Sequence, residues 1–378
     1  MKDIAESTLN LIEGFRNPAH MRALSKLIYK ESKTPIKIME VCGGHTHTIM
    51  KYGIIQLLPK HIEFIHGPGC PVCIMPKERI DAALALASSK DVIFTTLGDM
   101  IRVPGSKSSL QELRARGADV RALYSPLDVL KIANENPTKK VIFFAIGFET
   151  TTPMSAAIID KTLKEGIKNI SFFSNHVLVP EPMEAIMLDE NSKIDAFLGP
   201  SHVSVITGTK IYERVCEKFK MPIVVAGFEP IDVMEAILKI VKQVEEGRYE
   251  VENQYIRAVS RDGNLHAQKL VDKYFERRAH FNWRGIGDIP NSALKLKDEY
   301  AFLDAQIIFK DLIPKEHKKD HKLCICGDIL KGLAKPYDCK VFGKACVPSS
   351  PIGSCMVSSE GACAAYYKYG SLLKGRRV

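Results

Sequence analysis

Apolar positions along the chain follow two rhythms. Between residues 4 and 29 they fall at helical spacing (Leu9, Ile12, Phe15, then Leu24, Leu27, Ile28) with a break at Asn17-Pro18, which predicts two short N-terminal helices. From residue 36 the rhythm changes to short β-branched or aromatic runs separated by amphipathic stretches. The runs are Ile36 to Val41, Ile62 to His66, Val92 to Thr95, Val120 to Tyr124, Val141 to Ile146, Ile170 to Phe173, Ala196 to Leu198 and Ile223 to Ala226. Strands alternating with helices predict βαβ units and an α/β fold, because a parallel sheet covered on both faces reads as continuous apolar runs.

Two echoes suggest how these units are grouped. Met39 to Met50 resembles Phe143 to Met154, each a strand, a glycine turn and a Thr-rich helix start; Phe64 to Cys70 resembles Phe197 to His202. The expected organisation is two similar parallel-sheet α/β domains, residues 30–125 and 126–245, facing each other across a cleft. Residues 1–29 would be helices packed on a third domain. That domain, 246–378, begins after Gly247, where the alternation stops; it is expected to be irregular, largely helical and held together partly by metal. It contains the only tryptophan, Trp283, and a glycine turn, Gly285-Ile286-Gly287.

Composition agrees with a folded chain. The length of 378 residues suits two or three domains, and 46% hydrophobic with 26% charged residues is ordinary globular usage. The apolar run Val141 to Phe148 is too short to cross a bilayer, and the acids near Met1 are unlike a signal peptide, so the expected location is cytoplasmic, with no membrane. The net charge of +9 is uneven: residues 315–378 hold twelve Lys or Arg against five Asp or Glu, 12 − 5 = +7. Such an end suits an acidic partner or is simply solvated.

Cysteine changes the picture most. In a reducing compartment, clustered cysteines indicate metal or redox chemistry rather than a disulfide framework. Cys42-Gly43-Gly44-His45-Thr46-His47 follows a predicted strand, where a helix N-terminus would depress the Cys42 pKa and make it a ready thiolate, with His45 as a ligand or acid-base group. Gly67-Pro68-Gly69-Cys70-Pro71-Val72-Cys73 places a C-x-x-C pair before a helix starting near Pro76. That suits thiol-disulfide exchange with one acidic thiol, or half a metal site. Cys324, Cys326, Cys339, Cys346, Cys355 and Cys363 form an array whose gaps after Cys326 are 13, 7, 9 and 8, unlike paired zinc knuckles. This favours an iron-sulfur cluster; four thiolates suffice for one, leaving two cysteines as a possible dithiol. Cys216, in a helical pattern, reads as a core residue. Glu149 and Glu229 sit in matching Gly-Phe-Glu contexts, to line the cleft or cap helices. No phosphate-loop or dinucleotide fingerprint is present.

These motifs, with Gly147-Phe148-Glu149-Thr150-Thr151, Gly199-Pro200-Ser201-His202-Val203-Ser204, Gly227-Phe228-Glu229-Pro230 and Glu360-Gly361-Ala362-Cys363, resemble the HypD family of hydrogenase maturation factors nearly end to end. The resemblance implies a scaffold and redox maturation factor rather than an enzyme turning over a small metabolite. With a small HypC-type partner, it would assemble the iron centre of nickel-iron hydrogenase, carrying two cyanides and one carbon monoxide. The cyanide would come from HypE with HypF, and the hydrogenase large-subunit precursor would be served indirectly. It further implies a third domain holding a four-iron four-sulfur (4Fe-4S) cluster. By the same resemblance Cys42 is an iron ligand with His45 beside it, and Cys70 with Cys73 a redox pair. Cys324, Cys339, Cys346 and Cys363 become cluster ligands, and Cys326 with Cys355 a second dithiol.

A cluster-dependent protein disulfide reductase is the alternative from another class. It would use the same cysteines but has no need of Cys42 and His45. A zinc-stabilised nucleic-acid module is disfavoured, because Tyr366, Tyr367 and Tyr369 are too bunched to form a stacking platform.

Overall fold

All eight apolar runs become strands in the computed structural model, which describes residues 13–314 and 320–373. They are β1 (Ile36–Glu40), β2 (Ile62–His66), β3 (Val92–Leu97), β4 (Val120–Leu123), β5 (Lys140–Gly147), β6 (Ile170–His176), β7 (Ala196–Pro200) and β8 (Ile223–Ala226). β5 is buried at every position but Lys140, which is why it reads as an unbroken apolar run. A short β9 (Val251–Asn253) and a long hairpin, β10 (Phe275–Trp283) with β11 (Gly287–Leu296), complete the strands among the described residues.

The strands form two parallel sheets, β2-β1-β7-β8-β9 and β4-β3-β5-β6, confirming the α/β class. Their connectivity differs from the contiguous split at residue 125. The chain lays down β1 and β2, crosses to build the whole second sheet from β3 to β6, and returns to finish the first with β7, β8 and β9. The echo between β2 and β7 therefore relates two strands flanking β1 in one sheet, whereas that between β1 and β5 relates an inner strand of each. Parallel neighbours are joined by crossovers rather than tight turns, so a βα pattern is the same whichever sheet its next strand joins.

The expected boundaries of the flanking segments change too. The helix Pro18–Glu31 starts with Asn17 Oδ1 accepting from the amides of Ala19 and His20. It buries Met21, Leu24 and Ile28 in the same apolar cluster as the helix Pro230–Glu245, so it packs on the first sheet's unit rather than on a third domain. The first expected helix falls mostly on residues outside those described. Nor do residues 246–314 make a separate, largely helical unit. β9 edges the first sheet, while the β10–β11 hairpin lies along β6, joined by the Val177–Ala293 bridge and by Leu178 N donating to Ser292 O at 2.9 Å. The cysteine-rich residues 320–373 contain short helices at Cys326–Leu330 and Ala362–Tyr369. One continuous core joins their Cys346, Cys355 and Cys363 to Phe144 and Phe173 of the second sheet and Phe197 and Val225 of the first.

Candidate metal and thiol centre

A parallel sheet offers a ligand crevice where strand order reverses, at the strands' carboxyl ends. In the first sheet that point lies between β1 and β7. Cys42 lies just beyond β1 and caps the helix Gly43–Lys51, its Sγ accepting from Gly44 N at 3.4 Å. His202 lies just beyond β7 in the helix Ser201–Thr207, with Nδ1 3.7 Å from Cys42 Sγ. The two border a cleft of about 560 Å³ that Arg16, His47, Glu229 and Glu360 also line. Close approach of backbones builds this corner: a Cβ on Gly69 would lie 2.2 Å from Cys42 N, and one on Gly43 would lie 2.3 Å from Glu360 Cβ.

The histidine beside Cys42 is thus His202 rather than His45. The His45 ring is fully buried, with Nε2 3.1 Å from the carbonyl oxygens of both Ala226 and Gly227, and it packs on Phe228 at 4.7 Å between centroids. It braces the end of β8. Burial brings the pKa of both His45 and His202 down to about 4, so His202 presents a neutral imidazole to the thiol at neutral pH. Cys42 is not the ready thiolate expected from its helix terminus. Burial first, then the carboxylates of Glu360 and Glu40, hold its pKa well above the usual thiol value, and the amides of Gly44 and His45 offset only part of that. A thiol in this position needs a cation to take its proton's place, and a soft metal ion is one.

Below Cys42 lies a buried polar network. Glu40, the last residue of β1, accepts from Thr46 Oγ1, contacts His66 Nδ1 and accepts the Cys42 amide at 3.4 Å. His66 Nε2 reaches the Tyr366 hydroxyl at 3.0 Å, linking the Cys42 loop to the helix that carries Cys363.

The remaining thiols form a chain of contacts. Cys73 N donates to Cys70 Sγ at 3.3 Å, and the Cys73 thiol hydrogen-bonds to both Cys70 and Cys355. Cys355 also accepts from Cys326, which lies 3.2 Å from Cys324 Sγ and contacts Cys363. Cys355, with two thiols donating to it, has a lowered pKa, whereas Cys73 is pushed up by burial and by the bonds it donates. Of these two thiols Cys355 is the acidic one, and Cys73 is not. The helix Lys77–Ala87 begins four residues past Cys73, too far for its terminus to act there.

Cys346 Sγ faces the amides of Ile352, at 3.3 Å, and Gly353. A Cβ on Gly353 would come within 2.6 Å of both Cys324 and Cys326 Sγ, so the glycine leaves the space that the sulfurs occupy. Cys339 Sγ lies 3.7 Å from Leu323 O, beside Cys324. Among the described residues no three His, Cys, Asp or Glu side chains are arranged around one ion. Several soft thiols with backbone amides aimed at sulfur fit the wider cage of a cluster.

The two glutamates in matching contexts go to different cavities. Glu229 pairs with Arg16 at 2.7 Å beside Cys42. Glu149 is buried against a second cavity of about 550 Å³, where its Oε1 accepts from Val179 N at 3.0 Å and burial raises its pKa to about 8. Arg214 and Arg277 in that cavity pair with Glu181, while the buried Oε2 of Glu149 has no hydrogen-bond partner. Cys216 is a buried helix residue, as its pattern suggests. Sequence reasoning quoted His202 and Glu360 within motifs without giving either a role, and it missed the Glu40–His66–Tyr366 network; one signal available for His202 was its place directly after a strand end.

Comparison with known proteins identifies the family. A family model described as HypD, hydrogenase formation hypA family, matches residues 19–370. The chain is 51% identical over 365 residues to hydrogenase maturation factor HypD2 of Bradyrhizobium diazoefficiens, covering 94% of this chain and 96% of that protein. It is 52% identical over 339 residues to HypD of Rhizobium leguminosarum bv. viciae, 88% of each chain, and 44% identical over 364 residues to HypD of Escherichia coli, covering 96% and 95%. The protein belongs to the HypD family of hydrogenase formation proteins.

Proposed function

We propose that this chain is a hydrogenase maturation factor which, with a HypC-type partner, holds iron as cargo while cyanide from HypE and HypF and carbon monoxide are attached. The observation that carries this reading is the Cys42–His202 pair at the β1–β7 crevice. A disulfide reductase has no use for a third thiol, separate from the exchanging pairs, facing a neutral imidazole in an open cleft. Cys42 contributes a soft thiolate once iron displaces its proton, and His202 contributes a neutral nitrogen; both suit low-spin ferrous iron carrying strong-field ligands. Cys324, Cys339, Cys346 and Cys363 would hold a 4Fe-4S cluster, which supplies single electrons when bound.

The thiol contacts support an order of exchange. The Cys355 thiolate attacks Sγ of Cys73 in a Cys70–Cys73 disulfide, and Cys70 leaves as the thiolate. Cys326 then attacks Cys355, leaving Cys73 as a thiol and a Cys326–Cys355 disulfide, so two electrons have moved toward the cleft. Infrared spectroscopy of the protein copurified anaerobically with its small partner tests the scaffold role. Cyanide and carbon monoxide bands are expected in the wild type and absent in Cys42→Ala at unchanged iron-sulfur content. Bands that persist in Cys42→Ala would refute it and leave the reductase reading.

A further inference from the structure

The segment Trp283-Arg284-Gly285-Ile286-Gly287 has no role in the foregoing chemistry, yet the structure drives it into the cysteine array. It is the turn between β10 and β11, clamped from several directions. Trp283 is fully buried, its Nε1 donating to Ser292 Oγ at 2.7 Å, and its ring lies 6.2 Å from Phe148. Arg284 N donates to Ile74 O at 2.8 Å, next to Cys73. Gly285, at φ +75°, presses on Gly327, directly after Cys326, and a Cβ on Gly285 would stand 2.4 Å from Gly327 Cα. The turn thus holds one side chain, Arg284, in a fixed place beside the array.

That side chain is a buried cation with an unspent donor. Its side chain is 4% exposed, Nη2 lies 2.7 Å from Asp320 Oδ1, and the buried Nη1 has no hydrogen-bond partner. Burying a guanidinium is unfavourable unless negative charge and acceptors surround it, and one partly exposed carboxylate does not use all five of its N–H groups. We infer that Arg284 is a tuning residue for the cluster proposed above, its buried charge favouring the reduced state over the oxidised one. The inference rests on that cluster. A cluster bound by four thiolates is negatively charged and gains one more negative charge on reduction, so a nearby fixed cation raises its potential. The placement is geometric: Asp320, which pairs with Arg284, stands four residues before Cys324, and the turn that carries Arg284 presses on Gly327, directly after Cys326.

The test is a potentiometric titration of the full-length protein, purified or reconstituted anaerobically, followed by electron paramagnetic resonance. Arg284→Met should lower the reduced-to-oxidised ratio at a given potential about tenfold, a midpoint fall of about 59 mV for one electron. Arg284→Lys, which keeps the charge, should restore most of it. Asp320→Asn removes the neutralising carboxylate and should move the midpoint upward, a reversal of sign that loosened packing would not produce. If Arg284→Met retains its cluster at an unchanged midpoint, or both variants shift the same way, the inference is overturned. Should Arg284→Met fail to fold, an unshifted midpoint in Asp320→Asn overturns it just as well. Iron and sulfide contents are read separately: their absence from the wild type would remove the cluster itself, and the inference with it.

Discussion

His45 and His202 show how much depends on the direction in which one ring points. His45 points its ring nitrogen at two carbonyl oxygens at the end of β8, whereas His202 faces a thiol in an open cleft. His45→Ala should therefore cost about 2–4 kcal/mol of stability in urea unfolding, through lost packing on Phe228 and lost hydrogen bonding to those carbonyls. His202→Ala should cost little stability but should strip iron from the copurified complex, measured by metal analysis. The reverse pattern would return the ligand role to His45. Glu149 yields a prediction in pH. Its folded pKa of about 8 lies above the usual 4.5, so the folded state binds the extra proton between those values and stability is lost as pH rises through them. Glu149→Gln should abolish that loss, seen as a urea midpoint that gains on the wild type's between pH 5 and pH 8.5, a difference in which the contributions of all other groups cancel. His45, His176 and His202, lowered to about 4 by burial, act in the opposite sense: their contribution is lost as pH falls from 6.5 toward 4.

At the scale of elements, the Glu40–His66–Tyr366 network ties β1, β2 and the helix Ala362–Tyr369 together beneath the Cys42 loop. Burial raises the Glu40 pKa, and contact with His66 counters this. Removing one partner of a buried hydrogen-bonded pair leaves the other unsatisfied, so His66→Leu should destabilise the protein by about 2–3 kcal/mol, whereas Tyr366→Phe should cost about 1 kcal/mol. Chemical denaturation of both variants decides this, and equal small effects would mean that the network is incidental. The hairpin was harder to foresee than the parallel strands. Arg277, Ala279, His280 and Asn282 of β10 are exposed, two of them consecutive, the register shifts between Arg278 and His280, and β11 contains Pro290. Such strands show neither an unbroken apolar run nor a clean alternation.

Across the whole molecule, the two sheets are joined by a cysteine-rich segment that belongs to neither alone. Arg102, just beyond β3, donates to Val357 O at 2.7 Å, and Ser354 Oγ donates to Cys73 O at 2.5 Å, so residues 354–357 bridge the carboxyl ends of both sheets. The thiol chain crosses at this point. Cys355→Ser should leave the Cys70–Cys73 pair oxidised under conditions in which the wild-type pair is reduced, read by differential alkylation and mass spectrometry. Free exchange in that variant would show that the pair does not depend on Cys355.

The sequence by itself determined the strand-helix alternation and the eight strands of the two sheet cores. Doubly buried strands leave unbroken apolar runs, and glycines mark where backbones must touch. Only the tertiary structure decided which strands share a sheet, because β2→β3 and β6→β7 carry the same βα pattern as connections that stay within one. It likewise decided that His202 faces Cys42 and that Cys355 rather than Cys73 is the acidic thiol. Local sequence placed both Cys42 and the C-x-x-C pair near helix starts, but burial and neighbouring groups from distant segments, Glu360 at Cys42 and Cys326 at Cys355, outweigh a helix terminus. These are through-space effects that no spacing along the chain encodes.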